Sequence, residues 1–306
     1  MTVLAPDTPV PLAARAPEGR LAAAWSEFAE SRLAVGGLAV VVLLMVIAVL
    51  APWITQQNPY DLSQLSIMDN MLPPGSRSLD GKLYLLGTDD QGRDLVSAML
   101  YGLRLSLFVG VVATVIALVI GTAVGIVAAY FGGRIDTVLM RLVDIQLSFP
   151  AILIALILLA ILGKGVDKVV IALVSVQWAY YARTIRSSAL VERRREYIEA
   201  AQCLALPRWR IIFRHLLPNA FPPLIVVATV QVGHAIALEA TLSFLGVGVP
   251  ITEPSLGLLI ANGYGYMLSG KYWIAFYPGI ALLVAIVAIN LVGDHLRDVM
   301  NPRLKR

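Results

Sequence analysis

The sequence predicts an all-α integral membrane protein with six transmembrane helices. Of its 306 residues, 58% are hydrophobic and 14% are charged, whereas a soluble domain carries about 25% charged residues. The mean hydropathy is +0.78. Uncharged apolar runs of roughly 20 residues, enough for a helix to cross the hydrocarbon layer, recur along the chain. This composition excludes a disordered chain and argues against a soluble enzyme.

The apolar runs place the six helices. The fourth run is short, so it spans the membrane only if its helix continues past Arg183, whose long side chain can reach the membrane surface. We expect the third helix to begin nearer Thr137 and the fifth to continue past Glu239. The predicted spans are 33–53, 105–131, 145–163, 169–182, 216–238 and 272–293.

Basic residues in the flanks predict that both termini lie inside the cell. The chain has 24 basic and 20 acidic residues. With the N-terminus inside, the inner segments hold 17 basic residues and the outer segments hold 7, in agreement with the positive-inside rule. Residues 1–32 and 294–306 are then cytoplasmic tails, and 54–104 is an outside loop. The core at 105–293 contains an inside loop at 183–215.

Several function classes are disfavoured by what the sequence lacks. A single cysteine, Cys203, excludes an internal disulfide, and the three histidines are too far apart in sequence to suggest a metal site. There is no glycine-rich phosphate loop and no plausible catalytic triad. We therefore expect no cofactor, metal or catalysis on this chain. A net charge of +4 spread over so many apolar residues does not indicate nucleic-acid binding.

Two other classes remain as alternatives. An ion- or proton-coupled secondary carrier would work alone, but the six runs do not divide into matching halves, as many such carriers do. A membrane-embedded enzyme would need paired histidines and carboxylates at one membrane depth, and no such pairing is apparent in the sequence.

The inside loop has the composition of two short helices. Helix-forming residues run from 192 to 204, and Pro207 predicts a break. Ala201 and Ala205 lie four residues apart and so share a helical face, on which the backbone of another protein could approach closely. An amphipathic segment with alternating arginines and the aromatic residues Trp209 and Phe213 follows, near the membrane surface. The alternative is that this loop only fixes topology.

The loop resembles the Glu-Ala-Ala loop of importer-type ABC permeases. The triplet is Glu199-Ala200-Ala201, followed by a small residue at position 205 and the segment 212–218. Four further regions resemble the dipeptide and oligopeptide permease subfamily. They read LGTDDQGRD at 86–94, YFGGRID at 130–136 with MRLVD at 140–144, EATLSFLG at 239–246, and GDHLRD at 293–298 before Asn301-Pro302. The chain departs from the family pattern at Ala205, where glycine is preferred, and at Leu256, where tryptophan is common.

The resemblance implies a fold, partners and a site. The fold is the six-helix type I ABC importer permease architecture with a cytoplasmic coupling helix. The implied partners are a second permease, two ATPase subunits that bind ATP and Mg, and an extracytoplasmic solute-binding protein, in the lipid of a bacterial inner membrane. Dipeptides or oligopeptides are the expected solutes; nickel complexes, glutathione or other small solutes are alternatives. The residues expected to couple to the ATPases are Glu199, Ala200, Ala201, Ala205, Arg208 and Pro218.

Charged residues in or beside the spans are candidates for the pathway or a subunit interface. Arg141 and Asp144 lie three residues apart near the inner end of the third helix. They predict either a local ion pair or a clamp to a neighbouring helix. Glu239 lies near the outer end of the fifth helix and needs a partner at that depth. It is expected either to face the pathway or a second permease, or to bond with His234 or Thr241.

Two smaller patterns concern packing. Gly121 and Gly125 form a small-xxx-small pair, which predicts close helix packing within this chain or against a second permease. Asp89, Asp90, Arg93 and Asp94 alternate with glycines and predict a turn that ties the outside loop to the second span.

Overall fold

The computed structural model describes residues 20–78 and 81–300, and this part of the chain is mostly helical. The predicted all-α class is confirmed, with only two short strands, β1 (Ser76–Arg77) and β2 (Leu83–Tyr84), paired antiparallel in the outside loop. The predicted tail up to residue 19 and the last six residues lie outside the described residues. The helices are α1 Arg20–Glu30, α2 Arg32–Ile54, α3 Leu95–Phe131, α4 Gly133–Ser148, α5 Ala151–Leu162, α6 Val166–Glu192, α7 Glu196–Cys203, α8 Arg208–Arg210, α9 Leu217–Ala220, α10 Pro222–Phe244, α11 Leu256–Tyr264 and α12 Trp273–Val299.

The shorter elements complete this description. A π-helix covers Ile211–Leu216 and joins α8 to α9. Three single turns of 3₁₀-helix lie in the two segments that connect the outer ends of the long helices. They are Leu62–Gln64, Ile67–Asp69 and Met267–Ser269.

Four helices of the described chain are long and apolar enough to cross a membrane: α2, α3, α10 and α12. The α4–α5 pair is a fifth candidate, bent by 90° at the break between its two helices. Helix α6 has 27 residues and continues past Arg183, as predicted, although its polar residues keep it outside this group. The six predicted spans thus correspond to four apolar helices, one bent pair and one long helix of mixed composition.

The bend corrects the prediction of one continuous helix at 145–163. Helix α4 ends at Ser148 and α5 begins at Ala151, with Phe149 in an extended conformation between them. Pro150 causes the break because a proline ring disfavours helical geometry at the preceding residue and has no backbone N–H to donate. Pro150 lies within the uncharged apolar run, and the prediction of one continuous helix did not take its helix-breaking effect into account.

Helix ends also differ from the predicted boundaries. Helix α3 begins at Leu95 rather than 105, because the side chain of Asp94 accepts a hydrogen bond from the Ser97 N–H and caps the helix. With 37 residues, α3 is about 55 Å long and extends well beyond the roughly 30 Å of hydrocarbon. Residues 183–192 of the predicted inside loop belong to α6, and α12 continues to Val299, into the predicted C-terminal tail.

The predicted outside loop, 54–104, folds onto one end of the bundle. Arg93 and Asp89 form a buried ion pair, with 2.6 Å between Nε and Oδ2. The indole N–H of Trp273, in the first turn of α12, donates to the Thr88 carbonyl at 3.3 Å. The predicted turn therefore ties the loop to α3 through Asp94 and to α12 through Trp273. No group of three metal-binding side chains occurs in the described ranges.

The centre of the fold is the close contact between α3 and α6. A Cβ atom added to Gly121 would lie 2.6 Å from the Cβ of Tyr181, and one added to Gly125 would collide with the Ala182 carbonyl oxygen. Both glycines therefore let the two helix backbones approach directly. Of the two predicted roles for this glycine pair, packing within the chain is confirmed.

We predict that Gly125→Leu destabilises the folded chain by about 1–3 kcal/mol or more, because the new side chain has to displace the backbone of α6. Gly36→Leu is the matched control, since nothing lies within 4 Å of a Cβ at Gly36. Thermal unfolding of the purified protein, followed by size-exclusion chromatography, measures the difference. Equal thermal midpoints for the two variants would contradict the packing described.

Candidate coupling site and pathway residues

Helix α7 is a short exposed helix supported by one buried edge. It begins after Arg195 and has Glu196 and Glu199 in its first turn. Negative charge at this end of a helix interacts favourably with the helix dipole. Glu199 and Ala200 are exposed, whereas Ile198 is fully buried. The exposed side of α7 thus carries a carboxylate and a methyl group.

The predicted face formed by Ala201 and Ala205 is wrong for Ala201. Only 5% of Ala201 is exposed, because it packs with Ile198 into the chain's own core. Ala205 lies beyond the end of α7 in a left-handed conformation, with φ of 52°. The open surface instead comprises Ala200 and Cys203, with Leu204, which is 75% exposed.

Ala205 occupies the position at which a helix reverses direction. The Leu206 N–H donates to the Ala201 carbonyl at 3.2 Å, and the Ala205 N–H donates to the Gln202 carbonyl at 2.9 Å. This pattern is a Schellman motif, which favours glycine at the left-handed residue. Alanine there costs roughly 1–2 kcal/mol. The chain makes the sharp turn despite its departure from the family's glycine.

The buried edge of α7 joins the main helices of the bundle. Ile198 and Ala201 belong to one apolar cluster that contains residues of α3, α6, α7, the π-helix, α9 and α10. The guanidinium of Arg193 donates to the Ala129 carbonyl at 2.9 Å, near the last turn of α3. A force on α7 therefore acts on α3 and α6 through packed side chains. The cluster residues are Ile126, Ala129, Ile185, Ala189, Ile198, Ala201, Ile211, Ile212, Leu216, Ala220 and Leu224.

Tyr197 adds a second attachment of α7, beyond the apolar cluster. Its hydroxyl donates to Glu192 Oε2 at 2.8 Å, linking α7 to the end of α6. Burial, followed by the contact with Glu192, raises the pKa of Tyr197 to about 12. The phenol therefore stays protonated and keeps donating across the physiological range. The other predicted coupling residues, Arg208 and Pro218, are exposed at the starts of α8 and α9.

Asp144 pairs with a neighbouring helix rather than with Arg141. Its carboxylate accepts a hydrogen bond from Arg183 of α6, and both side chains are about half exposed. One turn of α6 further on, the guanidinium of Arg186 bonds Asp136 of α4 at 2.6 Å. The local Arg141–Asp144 pair is not formed; the observed geometry is the helix-to-helix clamp. Arg141 lies exposed on α4.

Glu239 is fully buried within the chain. Its carboxylate accepts hydrogen bonds from Ser106 of α3 at 2.7 Å and from Ser243 of α10 at 2.8 Å. The predicted partners are wrong, because Thr241 bonds its own helix and His234 contacts Gln231. The carboxylate therefore joins α3 to α10 and does not reach the surface of this chain.

Sequence reasoning missed a polar chain that crosses the bundle. Thr114 of α3 donates to Gln177 of α6, and the Gln177 amide donates to the Gln231 carbonyl of α10, both at 3.3 Å. The Gln231 side chain lies 2.8 Å from Nδ1 of His234, which is exposed on α10. Polar residues in three separate spans gave no local motif, so only the fold brings them together.

Comparison with known proteins identifies the family to which this chain belongs. Residues 121–306 match the family described as binding-protein-dependent transport system inner membrane component. Residues 19–74 match the N-terminal TM domain of oligopeptide transport permease C. The chain belongs to this family of binding-protein-dependent permeases. The match spans the bent pair, the α7 site and α12.

Curated permeases are similar over most of this chain. A putative peptide transport system permease protein of Brucella suis biovar 1 is 43% identical over 88% of this chain and 87% of its own length. A di/tripeptide permease of Pseudomonas aeruginosa is 39% identical over 92% and 91%. A dipeptide permease of Haemophilus influenzae is 34% identical over 98% and 99%.

A solved structure supports the permease fold. The chain superposes on inward-facing conformations of the MetNI methionine ABC transporter with a TM-score of 0.54 and 21% identity. The superposition covers 67% of this chain and 97% of the other. The predicted ABC importer permease fold is therefore confirmed.

We predict that Ala205→Gly stabilises α7 in this permease by about 1 kcal/mol, because glycine adopts the left-handed conformation without strain. Amide exchange in 196–206, measured by mass spectrometry, should slow about fivefold. Ala200→Gly is the matched control of opposite sign, since glycine inside an exposed helix costs about 1 kcal/mol. Faster exchange in both variants would contradict the turn geometry.

Proposed function

We propose that the chain is the permease subunit of an ATP-driven importer of dipeptides or oligopeptides, with one half of the translocation pathway and one coupling helix. The curated relatives, whose names describe peptide transport, support the solute class. The single observation that supports coupling is α7, a short helix open on one side and packed on the other against α3 and α6.

The geometry suggests how coupling works. A groove on an ATPase subunit receives Glu199, Ala200 and Cys203, and the small side chains let the two backbones come close. ATP binding closes the two ATPases and moves α7. The buried cluster below α7 passes this motion to α3 and α6, so the bundle alternates its access between the two faces of the membrane. This chain performs no chemistry, and ATP and Mg bind on the ATPase subunits.

The partners and location follow from the same proposal. A second permease completes the pathway, two ATPases bind on the cytoplasmic side, and an extracytoplasmic binding protein delivers the peptide. The chain lies in a bacterial inner membrane with both termini inside, on the basis of the excess of basic residues in the inner segments. The folded outside loop and the segment around α11 then face the binding protein.

Exposed polar groups on the spans indicate which surface faces the pathway. His234 on α10 and the Asp144–Arg183 pair between α4 and α6 are open on this chain. A polar group facing hydrocarbon is unfavourable, so such groups face water or another protein. We propose that these groups face the pathway that the chain forms together with the second permease. Glu239, buried between helices, has a structural role.

A secondary carrier is the less supported alternative. A proton-coupled carrier needs a titratable relay, and the buried carboxylate of Glu239 is bonded to two serines. Such a carrier would also transport without ATPase subunits. Reconstitution of this chain with and without the ATPases therefore distinguishes the two functions.

The test is peptide uptake by the reconstituted four-subunit complex with its binding protein. We predict that wild-type complex imports a labelled dipeptide only with ATP. Ala200→Trp should lower ATPase binding tenfold or more, since overpacking an interface costs about 1–3 kcal/mol and 1.4 kcal/mol is about a tenfold change in affinity. A pull-down through a tag on this chain measures retained ATPase and retained second permease.

Ala200→Ser is the matched control, because serine adds one oxygen at the same exposed site and should leave uptake near wild type. Ala201→Trp is a poor substitute, since Ala201 is buried and that variant would disturb the fold. Normal ATPase recovery and normal ATP-driven uptake with Ala200→Trp would show that α7 is not the docking helix. Uptake without ATP would contradict the importer itself.

A further inference from the structure

An apolar groove along the surface of α3 has no role in the proposed function. It lies between the second half of α3 and the segment that follows α7, and its volume is about 430 Å³. Eleven of its twelve lining residues are apolar. They are Leu118, Val119, Ala123, Ile126, Val127, Phe131, Trp209, Ile212, Phe213, Leu217 and Phe221, with Thr122 as the polar member.

The groove has the length of one membrane leaflet. Leu118 and Phe131 lie about 20 Å apart along α3, from the rise of an α-helix, and half of the hydrocarbon layer is about 15 Å. Phe131 is the last residue of α3 and lies near Ala129, to which Arg193 bonds beside α7. With the α7 end of the groove at the membrane surface, its other end would lie near mid-membrane.

Two exposed aromatic residues line the groove, and an exposed arginine follows each of them in the sequence. Trp209 is 70% exposed, Phe213 is 58% exposed, and their rings stack with centroids 5.8 Å apart. Arg210 and Arg214 are also exposed and four residues apart, so they form a second stripe beside the aromatic one. Aromatic and basic stripes on one short helix are typical of a helix at the lipid–water interface.

We propose that this groove binds one anionic phospholipid of the leaflet on the α7 side. One acyl chain lies along α3 against the exposed Trp209 and Phe213. The headgroup phosphate lies at Arg210 and Arg214, whose charge complements it. The site does not depend on which solute is imported; it requires only that the bundle lies in a membrane.

Charge favours a lipid over a protein occupant. The groove wall is apolar, and the segment that supplies Trp209 and Phe213 also carries the exposed Arg208, Arg210 and Arg214, with no acidic residue between 200 and 238. An anionic lipid matches both features with one molecule, since its chain is apolar and its headgroup is negative. Each basic residue near an anionic headgroup favours its binding.

The site has a consequence for coupling. The segment that holds the headgroup continues from α7 through the Schellman turn, and Ile212 of the π-helix both lines the groove and belongs to the cluster below α7. A bound lipid would therefore hold the segment after α7 at the membrane surface. Loss of the lipid would loosen α7 without touching the ATPase surface.

The experiment uses the intact complex in nanodiscs with two probes. One is a phosphatidylglycerol with a photoreactive diazirine on its acyl chain, and the other is the matching phosphatidylcholine. We expect phosphatidylglycerol to label peptides from 118–131 and 209–221 in preference to phosphatidylcholine. Arg214→Gln should reduce this preference about fivefold, as expected for the loss of about 1 kcal/mol. Arg194→Gln, an exposed arginine outside the groove, should leave the preference unchanged.

A second variant tests the acyl chain. Ala123→Trp fills the groove and should lower labelling by both lipids about tenfold, from an overpacking cost of about 1–3 kcal/mol. If this variant does not assemble, Val119→Phe replaces it, because Val119 is 63% exposed and tolerates a larger side chain.

Three outcomes would overturn the proposal. Equal labelling by both lipids would mean that the groove is ordinary boundary surface. Labelling unaffected by a filled groove would place the lipid elsewhere. Absence of labelling at 118–131 and 209–221 by either lipid would show that no lipid enters the groove.

Discussion

The backbone contact between α3 and α6 is the interaction on which the rest of the fold depends. Gly121 and Gly125 leave no room for a side chain between the helices, so their separation is fixed by backbone atoms. The outer end of α3 holds the outside loop through Asp94. Its inner end and α6 together form the platform on which α7 rests. The contact therefore lies between the two ends at which α3 holds other parts of the chain.

This arrangement explains how a short helix outside the bundle can affect residues within it. Ile198 and Ala201 anchor α7 in the same cluster as Ile185 of α6. The hydrogen-bonded chain from Thr114 through Gln177 to Gln231 also joins α3, α6 and α10, at positions outside this cluster. Because packed side chains and hydrogen bonds resist deformation, α7, α3 and α6 respond as one body. Peptide import in the proposed function uses that rigidity.

The sequence predicted helix positions well and side-chain environments poorly. Hydropathy located the apolar helices, because it measures how strongly the residues of each segment favour an apolar environment over water. It failed at Pro150, where one residue breaks an apolar run, and at Asp94, where a cap extends α3 beyond the charge-free stretch. Spacing suggested that Ala201 faces a partner, but which face of α7 is buried depends on residues distant in sequence. The serine partners of Glu239 were missed for the same reason, and the clamp predicted as one option for Asp144 did not identify Arg183 as its partner.

The central claim is that α7 moves together with α6. A Gln202→Cys substitution on α7, in a Cys203→Ser background, and an Asp167→Cys substitution at the exposed start of α6 provide two spin-label sites in the assembled complex. Pulsed electron paramagnetic resonance then measures the distance between them without nucleotide and with ATP trapped. The account predicts the same distance in both states while ATPase closure occurs. A distance that shifts with nucleotide would show that α7 hinges independently and would contradict it.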